Sequence, residues 1–99
     1  MELTWEQKMA ALNALSPCSL IMRKPGDWYV QQDTDIKDKS ILRGEYGNGE
    51  TPEEAVNDHW GRLTTITPPL YIVARASRDD RKAVRWNGFM WDSVREEVS

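Results

Sequence analysis

One nine-residue segment, Gly47–Ala55, constrains the fold of this 99-residue chain more than any other part of the sequence. Thr51 is suited to be a helix N-cap, and Pro52 suits the first helical position, where a missing N–H costs nothing. Glu54 stands three residues after Thr51, so its carboxylate can reach back to the Thr51 N–H and complete a capping box. The Gly47-Asn48-Gly49 run before it indicates a tight turn. The segment therefore predicts a strand, a turn and a helix in direct succession.

Two helices are predicted. The first covers residues 4–15, where a second capping box, Thr4 to Gln7, precedes apolar residues at helical spacing. It ends at Ser16-Pro17, because the residue before a proline is pushed out of the helical region. The second helix covers residues 51–64. Its inner stripe is formed by Val56, Trp60 and Leu63, with Ala55 and His59 beside them.

The rest of the pattern predicts strands and turns. Residues 33–40 are too polar for a central strand and predict a wide loop, and residues 77–82 predict a solvated loop. Asn87-Gly88 predicts a two-residue hairpin turn. The tail from Asp92 onward is charged, and we expect it to fray or to form a last helical turn. The predicted strands are 19–23, 28–32, 41–46, 70–76, 83–86 and 89–91.

The predicted element order is α-β-β-β-α-β-β-β. A chain of 99 residues fits one domain, so we expect residues 1–99 to form a single α+β domain. In such a domain the two helices pack on one face of an antiparallel sheet.

Composition excludes several functions. A formal net charge of −3 argues against general attraction to nucleic acid or anionic lipid, since both need surplus positive charge. The single cysteine, Cys18, cannot form an internal disulfide, which favours a reducing cytoplasm. The N-terminus lacks the pattern of a secretion signal and no apolar run is long enough to cross a bilayer. We therefore expect a cytoplasmic protein that does not insert into a membrane.

Catalytic and metal-binding patterns are missing as well. His59 is the only histidine, and nothing in the sequence supplies the partner and orienting group that catalysis by a histidine needs. Cys18 could meet His59 in space, but structural roles are expected for both. Asp33, Asp35 and Asp38 lack the Gly-then-Glu pattern of a calcium loop. We expect no enzyme activity, no cofactor and no metal site.

The Gly-x-Gly-x-Thr corner and the expected α-β-β-β-α order over residues 4–64 resemble the double-stranded RNA-binding domain. That family opens its second helix with a Lys-Lys-x-Ala-Lys run that grips phosphates. Here Glu53 and Glu54 replace the two lysines, and carboxylates at a helix N-terminus repel phosphate. Direct RNA binding through this corner is therefore not expected.

The same corner, Thr51 to Ala55, also resembles that of HicB-type antitoxins. This resemblance implies an alternative function as an antitoxin or regulatory module, with a toxin as partner. The capping chemistry explains the motif equally well without any function.

A basic stretch follows the second helix. It lies beside Trp86 and Trp91, and Arg and Trp are favoured at protein interfaces. The alternatives are a mixed-charge rim with its aromatic side chains facing inward, or a nucleic-acid-binding hairpin over residues 75–91. Together with acidic residues of the second helix, the stretch gives the surface two poles, which favours docking on a protein. The basic residues are Arg75, Arg78, Arg81, Lys82 and Arg85, and the acidic ones are Glu53, Glu54 and Asp58.

Thr67-Pro68-Pro69 can continue neither a helix nor a strand ladder. A trans polyproline spacer is expected there. A cis bond at either proline would make a host prolyl isomerase a candidate partner. Pro68 and Pro69 are therefore candidate partner-binding residues.

Short, acidic, Trp-rich chains without catalytic groups are typical of phage proteins that bind host machinery. In size, charge and its Thr67-Pro68-Pro69 segment, this chain resembles the anti-RecBCD accessory proteins of lambdoid phages. The resemblance implies a non-enzymatic protein of the host cytoplasm that binds a RecBCD-like helicase–nuclease. Binding would protect phage DNA or promote recombination.

Overall fold

The computed structural model describes residues 2–96, and its two helices and eight strands confirm the predicted α+β class. Two more strands are present than the sequence predicts, because five strands rather than three separate the helices. The helices are α1 (Trp5–Leu15) and α2 (Pro52–Thr64). The strands are β1 (Cys18–Lys24), β2 (Asp27–Gln32), β3 (Thr34–Asp38), β4 (Ile41–Gly44), β5 (Gly47–Gly49), β6 (Tyr71–Ser77), β7 (Asp80–Trp86) and β8 (Trp91–Ser93).

Both helices begin where their caps predict. The Thr4 Oγ1 accepts a hydrogen bond from the Gln7 N–H at 3.2 Å, and the Gln7 Oε1 accepts from the Thr4 N–H at 2.8 Å. At α2, the Thr51 Oγ1 accepts from the Glu54 N–H at 3.1 Å. The Glu54 carboxylate, however, accepts from the Glu50 N–H at 2.8 Å and not from Thr51. The predicted reciprocal bond is therefore displaced by one residue toward the preceding strand.

The strands form two antiparallel sheets where the sequence predicts one. The first has the order β1-β2-β5 and the second has the order β4-β3-β6-β7-β8. The chain passes between the sheets at Asp33 and again at Glu45-Tyr46. The predicted strand 41–46 is therefore two strands in different sheets.

Strand β3 occupies the segment that the sequence predicts as a wide loop, and it is a central strand between β4 and β6. Thr34 and Ile36 are buried, whereas Asp35 and Lys37 alternate with them on the other face. The polarity of the segment is compatible with a strand because one face alone packs on the core. The expectation of a loop over residues 33–40 is wrong for this reason.

Strand β5 also differs from the prediction, because the sequence predicts a tight turn at Gly47-Asn48-Gly49. The strand lies directly against α2: a Cβ on Gly47 would come within 2.6 Å of the His59 Cβ, and one on Gly49 within 2.5 Å of the Ala55 nitrogen. Real Cβ atoms never approach so closely, so only glycine fits at either position. The two glycines serve close packing of a strand on a helix, not chain reversal.

The C-terminal strands are longer than predicted. Strands β6 and β7 extend into the segment 77–82 and leave only Arg78-Asp79 between them. Strand β8 begins at Trp91 and not at Phe89, and Asp92 and Ser93 belong to it although the tail was expected to fray or turn helical. The Val94 N–H donates to the Ala83 carbonyl at 2.8 Å, which continues this pairing. Residues 97–99 of the predicted tail lie outside the described part of the chain.

One core joins the helices to both sheets. Val56, Trp60 and Leu63 of α2 are buried as predicted, and Leu12 and Leu15 of α1 pack with them. Trp60, Trp86 and Trp91 meet edge to face, with ring centroids 4.8, 5.0 and 5.6 Å apart. The Trp91 Nε1 also donates to the Ala11 carbonyl at 2.9 Å, so this cluster ties α1, α2 and the β7–β8 pair together. Neither helix of residues 2–96 has the length and apolar character that crossing a membrane requires.

Candidate interaction surfaces

Most of the acidic residues of α2 accept hydrogen bonds from other groups of the same chain. The Asp58 carboxylate accepts from the Asn48 N–H at 2.9 Å and from the Arg62 Nε at 3.2 Å, while Glu54 holds the Glu50 N–H. These bonds satisfy backbone donors on either side of Gly49 that face α2. Glu53 is exposed. Intramolecular bonding thus accounts for two of the three carboxylates in the acidic pole.

The basic stretch is also partly engaged. Arg75 donates to Asp35 at 2.7 Å and to Asp33 at 3.1 Å, and the hydrogen bond to Asp35 is the main reason why the pKa of Arg75 is raised. Arg81 donates to Glu96 at 2.6 Å and Arg85 to the Leu70 carbonyl at 2.7 Å.

Two exposed cations of the stretch, Arg78 and Lys82, remain without an ion-pair partner among the described residues. The nearby tryptophans do not join them at the surface. Trp86 and Trp91 turn toward Trp60 in the core. The aromatic side chains beside this stretch therefore face inward, which is the arrangement that a mixed-charge rim predicts for them.

Pro68 and Pro69 lie on the surface between α2 and β6. The Leu70 N–H donates to the Thr67 carbonyl at 2.9 Å across the pair. The Pro68–Pro69 peptide bond is cis, so the expected trans spacer is wrong for this bond.

The hairpin that joins β7 to β8 carries Phe89, the most exposed large apolar side chain of the described residues. Phe89 is 91% exposed and its neighbour Met90 is 59% exposed. Both lie in a four-residue turn, Asn87–Met90, because Trp86 pairs with Trp91 across it. The predicted two-residue turn would place Phe89 opposite Trp86. We attribute the observed register to the burial of Trp91, which leaves Phe89 at the tip.

The tip is a defined structure and not a loose loop. The Asn87 Oδ1 accepts hydrogen bonds from the Phe89 N–H at 2.8 Å and from the Met90 N–H at 2.9 Å. The Asn87 N–H donates to the Met90 carbonyl at 3.1 Å, and its Nδ2 donates to Asp92 at 3.0 Å. Gly88 supplies the positive φ of 103° that the turn needs. One asparagine therefore fixes the position from which Phe89 projects.

Sequence reasoning missed Phe89 and Met90 as surface residues. The signal that could have found them is Asn87, whose side chain can bond to backbone N–H groups two and three residues ahead and so lengthen the turn. The Asn-Gly pair alone favours the shorter turn. Whether the two-residue or the four-residue turn forms depends on whether Phe89 or Trp91 is buried in the core.

Cys18 and His59, the two residues considered for catalysis, contact different partners. The Cys18 Sγ lies 3.8 Å from the Met9 Sδ, and burial raises the pKa of its thiol to about 11. His59 is fully buried and bonds to Gln32, and desolvation lowers its pKa to about 4. Within residues 2–96, no group of three or more His, Cys, Asp or Glu side chains could hold a metal ion.

Comparison of the chain with protein-family models, with curated proteins and with solved structures gives no match. Function is therefore inferred from the surfaces described above. The Asn87–Met90 turn is the strongest of them, because it combines exposed apolar area with a fixed backbone.

Proposed function

We propose that this chain is a non-enzymatic binding protein that docks on a partner protein through the tip formed by Phe89 and Met90. The observation that carries the proposal is the 91% exposure of Phe89 on a turn that hydrogen bonds hold in place. A fully buried Phe or Met side chain contributes about 1.5–3 kcal/mol relative to an exposed one. Two such neighbours supply the central anchor of an interface.

The rigidity of the turn supports the same function. A side chain that is ordered only on binding costs about 0.5–1.5 kcal/mol of the interaction energy. Asn87 already fixes the Phe89 and Met90 N–H groups, and the Trp60–Trp86–Trp91 cluster anchors the strands at the base of the turn. The tip is thus organised before a partner arrives.

For the class of partner, we propose a bacterial helicase–nuclease of the RecBCD type, with the chain acting as a stoichiometric modulator. Two properties support this class over nucleic acid itself. The net charge of −3 disfavours direct binding to DNA. In addition, Arg75, Arg81 and Arg85 of the basic stretch are engaged within the chain.

The test uses degradation of linear double-stranded DNA by purified RecBCD. The wild-type chain is expected to slow degradation and to reach its full effect near one chain per enzyme. The double variant Phe89→Ser, Met90→Ser is expected to lose this effect, because it removes the apolar tip and keeps the turn-forming Asn87.

Ile41→Ser is the matched control. Ile41 is 60% exposed on the edge strand β4, so this substitution removes exposed apolar area away from the tip. It should act like the wild-type chain. Unchanged degradation with the wild-type chain would exclude RecBCD as the partner. Equal inhibition by the double variant and the control would exclude the tip as the docking site.

A further inference from the structure

A small pocket of about 70 Å³ opens where the β3–β4 hairpin meets the segment that leads into β6. Its lining residues are Lys37, Lys39, Pro69 and Tyr71, and we refer to it as the Tyr71 pocket. It shares no residue with the hairpin tip. Pockets for drug-sized ligands span about 300–1,000 Å³. The Tyr71 pocket therefore has room for one small group and not for a larger organic molecule.

Tyr71 is only 4% exposed. Its ring packs with Val73 and Ala83 in a small apolar cluster. This cluster lies on the face of the five-stranded sheet opposite the main core, because Ile72, between Tyr71 and Val73 in β6, belongs to that core. Apolar contacts thus account for the burial of the ring but not for the presence of its hydroxyl.

The Tyr71 hydroxyl is open to the pocket. Three polar side-chain atoms of the described residues are completely sealed and lack a partner, namely the Ser16 Oγ, the Thr34 Oγ1 and the His59 Nδ1. The Tyr71 hydroxyl has no partner among the described residues either, but it is not sealed, so the small surface that Tyr71 retains includes this oxygen. A nearly buried O–H donor without a partner favours a ligand that accepts a hydrogen bond.

Two lysines bring positive charge to the same pocket. Lys37 pairs with Tyr71 across β3 and β6, so both side chains leave the sheet on one face. Lys39 lies in the two-residue turn between β3 and β4. Neither lysine forms an ion pair with any described residue. Both ammonium groups are therefore available to a ligand.

No carboxylate of the described residues lines the Tyr71 pocket. Asp38 stands between the two lysines in the sequence, but it alternates to the other face of β3. Asp35 shares the face of Lys37 and is engaged by Arg75 at 2.7 Å. The pocket is thus locally positive, although the whole chain carries a net charge of −3.

We propose that the Tyr71 pocket binds the dianionic phosphate of a small compound, either the free ion or a terminal monoester. Each lysine presents three N–H donors as a compact charge, and lysine is a common phosphate ligand. The Tyr71 hydroxyl donates to another phosphate oxygen. A phosphate monoester carries about −1.5 to −2 charges at pH 7, which two ammonium groups balance. A phosphodiester carries a single charge and is matched less well.

The test is a titration of the isotope-labelled chain at constant ionic strength, followed through its backbone amide resonances. The probes are inorganic phosphate and ethyl phosphate. The matched probe is diethyl phosphate, which keeps the phosphate oxygens but carries one charge. The two dianions should shift the amides of residues 37–39 and 70–71 to saturation. Diethyl phosphate should bind about tenfold more weakly, because its hydrogen bonds from the lysines lose charge assistance.

Tyr71→Phe separates binding from folding, because it keeps the ring in its cluster and removes only the hydroxyl. It should weaken phosphate binding about tenfold and leave the urea midpoint unchanged, since the hydroxyl has no partner among the described residues. Lys37→Gln and Lys39→Gln should each weaken binding several-fold. Lys24→Gln is the matched control, because Lys24 is exposed on β1 in the other sheet, and it should bind phosphate like the wild-type chain.

The two dianions distinguish the source of the phosphate. Tighter binding of inorganic phosphate assigns the pocket to the free ion, and equal or tighter binding of ethyl phosphate assigns it to the terminal phosphate of a small ester. Equal binding of ethyl phosphate and diethyl phosphate would overturn the proposal. Absence of saturable shifts at residues 37–39 and 70–71 would overturn it as well, and so would full binding by a folded Tyr71→Phe variant.

Discussion

The His59 Nε2 lies 2.9 Å from the Gln32 Oε1 in the interior of the protein. The Gln32 Nε2 donates to the carbonyls of Leu12 and Ser16 at 2.6 and 2.9 Å, so the Gln32 Oε1 can only accept. His59 must therefore carry its proton on Nε2 and is held neutral. Its Nδ1 is buried and has no hydrogen-bond partner among residues 2–96. A second proton on the ring would have no acceptor, which agrees with the lowered pKa.

The free energy of unfolding should therefore decrease as the pH is lowered through the range in which His59 titrates. Its pKa is about 4 in the folded chain, chiefly because of desolvation, and about 6.5 when unfolded. Between these values the unfolded chain binds more protons, so stability is full above pH 6.5 and is lost as the pH falls. At pH 5 the loss should reach about 2 kcal/mol. Urea unfolding from pH 7 to pH 5 measures it.

His59→Gln is the reference for that measurement, because glutamine keeps a donor for Gln32 and does not titrate. Its urea midpoint should change little between pH 7 and pH 5. An equal slope in both proteins would show that other groups cause the pH dependence.

Gly47→Ala should destabilise the chain by about 3 kcal/mol, because the added Cβ meets the backbone of α2 and cannot be accommodated by a rotamer change. Gly61→Ala is the matched substitution. Gly61 lies within α2 with open space where a Cβ would go, so alanine there should stabilise by about 1 kcal/mol. Urea denaturation of the two variants measures both effects. Similar midpoints would contradict the close approach of β5 to α2.

Trp91→Phe should cost about 2 kcal/mol, because it removes the hydrogen bond to the Ala11 carbonyl and weakens the contacts with Trp60 and Trp86. Trp5→Phe provides the comparison, since Trp5 packs on the edge of the core without a tryptophan neighbour in ring contact. In thermal unfolding, Trp5→Phe should lose clearly less stability than Trp91→Phe. A larger loss for Trp5→Phe would refute the role assigned to the cluster.

Asn87→Ala should loosen the tip without unfolding the domain. The amide order parameter of Phe89 should drop from about 0.85 to below about 0.6, since both hydrogen bonds to the Asn87 Oδ1 are lost. Asp92→Ala removes the contact to the Asn87 Nδ2 alone and should keep Phe89 ordered. Nitrogen relaxation measurements on both variants decide whether Asn87 fixes the turn.

Local chemistry was enough to predict the helices and the fold class. Thr4 and Thr51 cap where capping boxes place them, and the apolar spacing of Val56, Trp60 and Leu63 matches the buried face of α2. Such signals lie within a few residues of one another, so the sequence displays them directly.

The remaining features depend on contacts between distant residues. Strand β3 is stabilised by pairing with β6 and by the bonds from Arg75 to Asp33 and Asp35, about forty positions away in the chain. The exposure of Phe89 follows from the packing of Trp91 on Trp60 and Trp86. The division of β2 and β3 between two sheets depends on their pairing with β5 and β6. No local pattern encodes these relationships.

Docking through the tip can be measured directly, because Phe89 is the only phenylalanine of the chain. Incorporation of 4-fluorophenylalanine therefore gives one fluorine resonance, which reports on the tip alone. With purified RecBCD added, this resonance should broaden and shift, with saturation near one chain per enzyme. A sharp, unshifted resonance while the chain co-sediments with the enzyme would contradict docking through Phe89.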